Sequence, residues 1–467
     1  MSWQQGRRPT GDAPRVIVVG AGFAGLSTVS ELKRAGADVL LIDRNVYSTF
    51  QPLLYQVATA GLNPSDVAYP ARAFTNKQGA RFRLGELSEI DPAARHITLV
   101  DGGRFEYDYL VVATGVSAAY YGVKGAAEHT LGLYTRRDAI TLRDHIMARL
   151  ERLDIASPGR ELNFTVVGGG ATGVELAGTL AELRGTALSA AFPEVESERV
   201  HIRLIEQFPA LLGPFHPSLQ EYALGQLKDR GVEVRLSAKI EEVTAGRVRL
   251  ESGEDLPSDV TVWAAGVSAP PAVAGWGLPQ GRSGRISVGP DLLVEGQDRI
   301  LAAGDITVID GHPLPQLAQP AIQTGRHAAQ QIRHLMAGEP TERFSYHDKG
   351  IMATIGRRSA VVQIPHAPRI KGTLAWLAWL ALHLVTLLGG RNRLSALLNL
   401  SWRYLAWGHG GGVIVGDDPP AVIPGGPPET VPGASDPSQE FAYGRAGDGQ
   451  AGIPGQRSPG VAPPRRG

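Results

Sequence analysis

The sequence predicts an α/β fold in which two similar β–turn–α–β units are followed by a C-terminal helical region. Three features support this prediction. A G-x-G-x-x-G segment follows an apolar strand near the N-terminus, the same arrangement recurs at residue 168, and an apolar, tryptophan-rich stretch begins near residue 372. A lone glycine-rich segment is a weak signal, but its repetition between matching strands and helices predicts two nucleotide-binding units.

The first unit starts with an apolar run at residues 15–19, which we predict to be a buried strand. The glycine-rich segment at 20–25 comes next and opens a predicted helix that reaches about residue 35. A second apolar strand at 38–42 ends at Asp43. This order of elements is typical of a Rossmann-like dinucleotide-binding domain.

The glycines of the first unit have distinct physical roles. Gly20 allows a tight turn, Gly22 lets a pyrophosphate approach the backbone, and Gly25 allows the helix to pack closely on the strand. The helix N-terminus then presents unpaired N–H groups to the phosphates. Asp43 is placed to accept hydrogen bonds from a ribose diol.

The second unit repeats this pattern between residues 163 and 206, with a longer segment before its second strand. Gly168, Gly170 and Gly173 take the roles of the first three glycines, and Glu206 ends the second strand. A carboxylate there binds the 2′-hydroxyl of NADH and repels the 2′-phosphate of NADPH, which predicts a preference for NADH. The alternative is that the glycines only shape turns and the acids are solvated strand-end charges.

Composition excludes several classes of protein. The chain contains no cysteine, which rules out disulfides, thiolate nucleophiles and cysteine-ligated metals, and no metal cofactor is predicted. Lys plus Arg and Asp plus Glu both number 46, so no nucleic-acid partner is expected. The first residues lack the apolar run of a secretory signal, so we expect the protein on the cytoplasmic side.

The C-terminal region changes character. Residues 373–388 are strongly apolar but fall short of the roughly 20 residues that a bilayer span needs. Residues 391–407 mix arginines with leucines and tryptophans, which suits an amphipathic helix at an anionic lipid surface. A core helix or a short span is the alternative. The Pro/Gly-rich tail at 411–467 and residues 1–13 are expected to be disordered.

Several segments resemble the type II NADH dehydrogenases, the non-proton-pumping NADH:quinone oxidoreductases among the flavoproteins with two dinucleotide-binding domains. The resemblance covers residues 14–410. Its segments are VIVVGAGFAGL (16–26), FQPLLYQVAT (50–59), VVGGGATGVELAG (166–178), VWAAGV (262–267), LAQPAIQTG (317–325) and MATIGR (352–357). It implies FAD and NADH as cofactors, a quinone acceptor, monotopic attachment to the cytoplasmic face of the cell membrane, and a homodimer.

The fingerprints and the resemblance together suggest the cofactor-binding residues. FAD is expected at Gly20, Gly22, Phe23, Ala24, Gly25, Asp43, Arg44, Ala113, Thr114, Gly115, Gly304, Asp305 and Ala318. NADH is expected at Gly168, Gly170, Thr172, Gly173, Glu206, Ala265 and Gly266.

The resemblance also implies catalytic residues. Glu175 is placed near the nicotinamide and the flavin, although a carboxylate in the first turn of a helix is also explained by the helix dipole. Gln319 and Gln323 resemble the family's quinone motif, since neutral amides can hydrogen-bond a quinone carbonyl; the alternative is polar capping of a buried helix. Tyr55 and Gln56 are implied at the flavin pocket or the quinone tunnel.

The predicted domains are an FAD-binding domain at 14–118 and 295–345, an NADH-binding domain at 119–294, and a membrane-attachment region at 346–410. Two other functions use the same folds. One is a soluble FAD-dependent NADH oxidase or a reductase of a ferredoxin-like partner, and the other is a redox-sensing NADH-binding regulator. The absence of cysteine disfavours relatives that pass electrons through thiols, and the glutamine pair favours a quinone.

Overall fold

The computed structural model describes residues 13–33, 35–153, 159–188, 192–193, 195–309 and 311–405. The predicted disordered tail, residues 1–12 of the predicted disordered N-terminus, and residues 406–410 of the predicted membrane-attachment region lie outside this part of the chain.

The strands are β1 Arg15–Val19, β2 Asp38–Asp43, β3 Tyr47–Thr49, β4 Ala68–Pro70, β5 Arg81–Leu84, β6 Leu87–Asp91, β7 His96–Leu99, β8 Arg104–Glu106, β9 Tyr109–Val112, β10 Ser117–Ala118, β11 Leu131–Gly132, β12 Leu162–Val167, β13 Val200–Ile205, β14 Glu233–Arg235, β15 Ile240–Thr244, β16 Arg247–Leu250, β17 Asp255–Pro257, β18 Val260–Trp263, β19 Val267–Ser268, β20 Ile286–Val288, β21 Ile300–Ala302, β22 Thr307–Ile309, β23 Ile351–Gly356, β24 Ser359–Gln363 and β25 Ile370–Lys371. The α-helices are α1 Phe23–Leu32, α2 Leu54–Ala58, α3 Ala71–Gln78, α4 Ala126–His129, α5 Arg136–Leu150, α6 Ala171–Glu182, α7 Pro217–Asp229, α8 Ala318–Ala337, α9 Thr373–Thr386 and α10 Gly390–Leu405.

The first unit is built on a five-stranded sheet in the order β21-β9-β1-β2-β5, with every neighbouring pair parallel. All four residues of β9 are buried, as expected for a central strand of a parallel sheet. The predicted strands of this unit are confirmed, and α1 ends at Leu32, before the predicted residue 35.

The second unit repeats the design in the order β11-β18-β12-β13-β14, again parallel throughout. Its central strand β12 is buried along its whole length. Each unit also carries an antiparallel three-stranded sheet, β6-β7-β8 in the first and β15-β16-β17 in the second. The two predicted Rossmann-like units are therefore confirmed as a structural repeat.

The chain crosses between the units where β10 pairs antiparallel with β19. After this crossing, Val273 and Trp276 are buried in the core of the first sheet, together with β20 and β21. The polypeptide therefore returns to the first core earlier than the predicted domain boundary at residue 294. The short helix α2 does the reverse, since its residues Leu54 and Tyr55 are buried in the core of the second unit.

The C-terminal part adds the antiparallel sheet β23-β24-β25 and the helices α9 and α10. β23 lies against α6 so closely that a Cβ at Gly178 would stand 2.1 Å from the carbonyl oxygen of Ile355. α9 packs on β24 through Ala375, which is fully buried. Within the described residues, no helix has both the length and the apolarity to cross a bilayer.

Candidate functional site

The first glycine-rich turn forms a cradle at the carboxyl end of the parallel sheet. Gly20 has φ of +110°, and a Cβ there would lie 2.2 Å from the carbonyl oxygen of Ala113, so only glycine fits. A Cβ at Gly22 would meet nothing within 4 Å. The first hydrogen bond of α1 runs from the Leu26 N–H to the Gly22 carbonyl, so the N–H groups of the preceding helical residues are available to phosphate.

The second glycine-rich turn has the same geometry. Gly168 has φ of +108° and lies against the backbone of Ala264, whereas a Cβ at Gly170 would again meet nothing within 4 Å. The Val174 N–H makes the first hydrogen bond of α6, to the Gly170 carbonyl. Each unit therefore offers an open helix N-terminus to a pyrophosphate.

The two strand-end acids bind the cradles in the same way. Asp43 accepts the N–H of Ala21 at 2.6 Å, and Glu206 accepts the N–H of Gly169 at 2.5 Å. Each also accepts the N–H of the residue two positions after it. Burial raises the pKa of Asp43, and the N–H of Ala21 opposes this rise. Both carboxylates are thus fixed beside the turn, where a ribose diol of a bound dinucleotide lies.

The turn after β21, which carries Gly304 and Asp305, adds a second acid to the first cradle. The Gly304 N–H donates to the Thr324 hydroxyl at 2.9 Å, which ties the turn carrying Asp305 to α8. Burial raises the pKa of Asp305 to about 7, and Arg285 opposes the rise. The buried Arg285 guanidinium donates to the Thr307 carbonyl at 3.0 Å. Sequence reasoning missed Arg285, which belongs to no motif, and Thr324, which lies in the LAQPAIQTG segment but carries no polar role that the segment alone reveals.

Some buried polar atoms beside the first cradle and at the start of α8 lack a hydrogen-bond partner. Of the thirteen buried side-chain polar atoms without a partner within the described residues, four lie in these segments: the Thr114 hydroxyl, Gln51 Oε1, Gln316 Nε2 and Gln319 Oε1. Buried polar groups are nearly always paired, so these atoms have hydrogen-bonding capacity for a polar ligand. The open cradle, Asp43, Asp305 and the Thr114 hydroxyl fit the phosphates, ribose and ribityl chain of FAD.

The remaining predicted cofactor residues lie at the edges of the cradles. Gly115 has φ of +70° and lies near the Tyr134 hydroxyl, while Gly266 has φ of +153° and lies against Tyr121. Arg44 is exposed and forms an ion pair with Glu86 at 3.6 Å. The other predicted residues lie at the starts of helices or after a strand: Phe23 and Ala24 open α1, Thr172 is exposed in the first turn of α6, Ala265 follows β18, and Ala318 is the first residue of α8.

Glu175 lies on α6 beyond the second cradle, with its carboxyl group turned into the interior. The Thr354 N–H of β23 donates to it at 3.3 Å. Burial raises the pKa of Glu175 to about 8, and hydrogen bonds from Thr354 and Trp379 oppose this rise. The carboxyl group is therefore mostly protonated at neutral pH and can hold or release a proton in a dry environment.

The two glutamines of α8 differ in their environments. The carboxamide of Gln323 is paired with the backbone of His347, donating to its carbonyl at 2.9 Å and accepting its N–H at 3.0 Å. Gln319 Oε1 is buried and unpaired. Pro320 is the third residue of α8, because the helix begins at Ala318. It lies in the first turn, where a missing N–H costs little.

An aromatic cluster from α9 closes the site and was not predicted from sequence. The Trp379 and His383 rings stack with centroids 4.0 Å apart. Trp379 also faces Tyr55 at 6.1 Å, and His383 faces Phe50 at 6.1 Å. Phe50 in turn contacts Phe23 of the first cradle at 5.8 Å. A continuous row of rings therefore links the C-terminal helix to the FAD side. The tryptophan-rich composition marked this region as unusual, but it did not predict that these rings face the interior.

Comparisons with known proteins show the family to which the chain belongs. The pyridine nucleotide-disulphide oxidoreductase family matches residues 14–325. The type II NADH:quinone oxidoreductase Ndh of Mycobacterium tuberculosis is 37% identical over 430 residues, covering 87% of this chain and 91% of that protein. The type II enzyme of Staphylococcus aureus strain MSSA476 is 31% identical over 370 residues, covering 76% and 91%. The structure of NDH2 from Plasmodium falciparum in complex with NADH superposes with a TM-score of 0.79 at 18% identity, covering 85% of this chain and 99% of that one.

The fold and the two cradles define a flavoprotein of the pyridine-nucleotide oxidoreductase class, here without the cysteines that disulphide chemistry needs. Within that class the chain belongs to the type II NADH:quinone oxidoreductases. It is an FAD-dependent NADH dehydrogenase with a quinone as acceptor, and the predicted cofactors, FAD and NADH, are confirmed.

Proposed function

We propose that this chain oxidises NADH and reduces a quinone to the quinol at a lipid surface without pumping protons, with Glu175 as its proton-carrying group. The observation that carries the proposal is the buried carboxyl group of Glu175, which lies past the NADH cradle and contacts both β23 and α9. When bound, FAD supplies the chemistry that accepts a hydride and passes electrons to the quinone. The residues of the chain bind and orient the cofactors and the quinone, and they provide protons.

The NADH side is organised by Glu206 and the N-terminus of α6. Glu206 is held against Gly169, where its carboxylate accepts hydrogen bonds from the adenosine ribose of NADH and repels a 2′-phosphate. Gly170 leaves space for the pyrophosphate. Ala265 and Gly266 form the neighbouring turn after β18, on the nicotinamide side of the site.

Glu175 holds a proton on its carboxyl group at neutral pH, because burial raises its pKa to about 8. Quinone reduction consumes protons, and a carboxylic acid whose pKa is close to the working pH both gives and regains one readily. The surrounding apolar core excludes water from the carboxyl group, so the proton is delivered to the site and not lost to solvent.

Gln319 is the stronger of the two quinone-binding candidates. Its buried Oε1 has no partner within the described residues and can accept a hydrogen bond from the hydroxyl group of the quinol, while the Nε2 N–H of the same amide is the group that can donate to a quinone carbonyl. Gln323 would bind a quinone only by exchanging its hydrogen bonds with His347. In this proposal Gln319 therefore contacts the quinone carbonyl, and Gln323 fixes the segment beside it.

The helices α9 and α10 form the proposed lipid-binding surface on the cytoplasmic face of the cell membrane. Their outer faces expose a band of large apolar side chains: Leu374, Leu377, Leu382 and Val385 on α9, and Leu394, Leu397, Leu398 and Trp402 on α10. The exposed Arg391 and Arg393 flank this band. Apolar groups beside arginines suit the boundary between acyl chains and anionic headgroups.

The lipid surface is tested by vesicle flotation. A variant with Leu377, Leu382 and Leu398 all changed to Glu should bind vesicles containing phosphatidylglycerol much more weakly than the unchanged enzyme. Val100→Glu, an equally exposed apolar position in the first unit, is the matched control and should bind as before. Equal binding by the triple variant would remove the lipid surface from the proposal. Sedimentation of the detergent-solubilised enzyme tests the homodimer that the resemblance implies.

The choice of acceptor is tested by spectroscopy on the purified yellow protein. NADH should bleach the flavin band, and a short-chain quinone should restore it far faster than dissolved oxygen does. Gln319→Leu should raise the KM for quinone and leave the bleaching by NADH unchanged. Recovery at the same rate with oxygen alone would favour the NADH oxidase alternative.

A further inference from the structure

The helix α9 has an exposed apolar face and also a side chain that is buried in the protein core. Its apolar side chains Leu377 and Leu382 are exposed, whereas Trp379, between them in sequence, is 2% exposed and lies in the core of the second unit. One helix therefore carries the proposed lipid-binding surface on its outside and an aromatic group facing α6 on its inside.

We propose that Trp379 is a positioning residue that holds the carboxyl group of Glu175 in place through its indole N–H, so that α9 completes the redox site. This inference rests on the proposed proton-carrying role of Glu175. It assigns a role to a residue that no sequence motif identifies.

The contacts around Trp379 leave its ring little freedom. One face stacks on His383 with an interplanar angle of 24°. Tyr55 of α2 lies 6.1 Å away at a tilt of 59°. The His383 ring nitrogen Nδ1 is 2.7 Å from the Trp379 carbonyl oxygen, which fixes the stacked ring on the same turn of α9. The indole is thus held between two elements while its N–H reaches the carboxyl group of Glu175.

The carboxyl group of Glu175 is therefore held from two sides. The Thr354 N–H of β23 donates to it at 3.3 Å, and the Trp379 indole N–H faces it from α9. Both donors favour the ionised form, against the burial that disfavours it. The titratable side chains on the elements packed beside them are Tyr55 and His383, and burial lowers the pKa of His383 to about 4, so that its ring is neutral at pH 7.

The test compares Trp379→Phe with Trp376→Phe on the FAD-loaded enzyme. Phenylalanine keeps an aromatic ring but removes the N–H. Trp376 lies three residues earlier on α9 and packs against the neighbouring cluster of β24 and β25, so it is the matched control. The infrared carboxylic-acid band of Glu175, identified by its loss in Glu175→Gln, gives the titration midpoint directly.

In Trp379→Phe the midpoint should rise by about one pH unit, because a hydrogen bond to the ionised form is lost. The band should also move to higher frequency, and Trp376→Phe should match the unchanged enzyme on both counts. An unchanged midpoint and band in Trp379→Phe would overturn the positioning role. If the midpoint moves while the pH profile of quinol formation stays fixed in both Trp379→Phe and Glu175→Gln, the positioning stands and the proton-carrying role of Glu175 fails.

A measurement on the unsubstituted tryptophans covers the case in which Trp379→Phe does not fold. One of the seven indole N–H signals of nitrogen-15-labelled enzyme should titrate with the midpoint of the carboxyl band and lose this titration in Glu175→Gln. If no indole signal follows the carboxyl group, Trp379 does not contact it in solution and the inference is wrong.

Discussion

The two nucleotide-binding units repeat the same arrangement of parallel strands and the same glycine cradle, but the helices after the cradles carry different side chains. Aligning Gly20 with Gly168 places Ser27 of α1 opposite Glu175 of α6. Ser27 is partly exposed, whereas Glu175 is buried with a pKa raised to about 8. The repeat therefore supplies two similar phosphate cradles, and the chemistry that separates them lies in a side chain that the repeat does not share.

The elements that cover the two helices differ as well. α8 lies against α1, where a Cβ at Gly325 would stand 2.2 Å from the Ala24 carbonyl oxygen. This contact brings Gln319 to the first cradle. β23 lies equally close to α6 at Gly178 and brings Thr354 to Glu175. The same close approach is made by a helix in one unit and by a strand in the other. It adds the proposed quinone-binding and proton-carrying groups to an otherwise common scaffold.

The largest expected effect separates the two cradles. Gly22→Glu places a carboxylate in the space for the FAD pyrophosphate, so the protein should be purified without FAD and without activity. Gly170→Glu should keep its FAD but lose NADH binding, with NADH oxidation reduced by about 100-fold or more through charge repulsion and lost phosphate contacts. Visible spectra and NADH titrations measure both. FAD loss in Gly170→Glu instead would reverse the assignment of the cradles.

The next effect concerns Glu175, the buried acid on the helix of the second unit. Glu175→Gln removes the proton but keeps the shape, and the rate of quinol formation should fall by roughly 10²–10⁴-fold with FAD still bound. In the unchanged enzyme the rate should fall as the pH rises through about 8, because the protonated form is lost. The variant should not show this fall in rate at high pH. Ser27→Ala is the control in the first unit and should have little effect. If the rate of Glu175→Gln still falls as the pH rises through about 8, another group must be the one that loses its proton.

A smaller effect separates the two strand-end acids. Glu206→Gln should lower kcat/KM for NADH by about 10-fold, because a charged hydrogen bond to the ribose is weakened, and should narrow the discrimination against NADPH. Asp43→Asn makes the same change in the first unit and should weaken FAD retention without altering the preference between the two nicotinamide cofactors. If Asp43→Asn changed that preference, the two acids would not serve separate nucleotides.

The sequence predicted the parts of this comparison that depend on local patterns. Apolar strands, the glycine turns and the strand-end acids all lie within short segments, and the described strands match them almost residue for residue. The partners of Glu175 could not be predicted in this way, since Thr354 is 179 positions away along the chain. Arg285 and Trp379 likewise have no motif, and only the packing of distant elements gives them partners at the site. Periodicity also could not distinguish the inner face of α9 from its outer face.

The helix α10 is held by side-chain hydrogen bonds on the segment that leads into β4. Ser395 and Asn399 both donate to the buried carboxylate of Asp66 at 2.7 Å, and Asn392 donates to the Ala68 carbonyl at 2.8 Å. Asp66→Ala leaves these two donors of α10 without their acceptor and should weaken the docking of α10 by about 1–3 kcal/mol.

The docking of α10 is measured by the rate of proteolysis between α9 and α10, which should rise in Asp66→Ala while FAD binding persists. Glu128→Ala, at an exposed position on α4, is the control. An unchanged cleavage rate in Asp66→Ala would show that the apolar contacts of α10, which include Ala396 and Leu400 in the core of the second unit, hold it in place without these hydrogen bonds.

The smallest effect is the dependence of stability on pH, and it again contrasts Glu175 with an ordinary surface acid. Burial raises the pKa of Glu175 in the folded chain from its usual 4.5 to about 8. Between these values the folded state keeps a proton that the unfolded state has released, so the free energy of unfolding falls as the pH rises through this window. At pH 9 the carboxyl group is ionised in both states, so the folded state bears the full free-energy cost of burying its charge.

The variant Glu175→Gln has no such charge to bury, so its stability relative to the unchanged enzyme should increase from pH 5 to pH 9, by on the order of a few kcal/mol. Urea unfolding at the two pH values measures this difference, with the exposed Glu89→Gln as the control that should show none. A difference that stays constant with pH would mean that the carboxyl group is hydrated in solution, and a hydrated carboxyl group would not keep its proton at neutral pH.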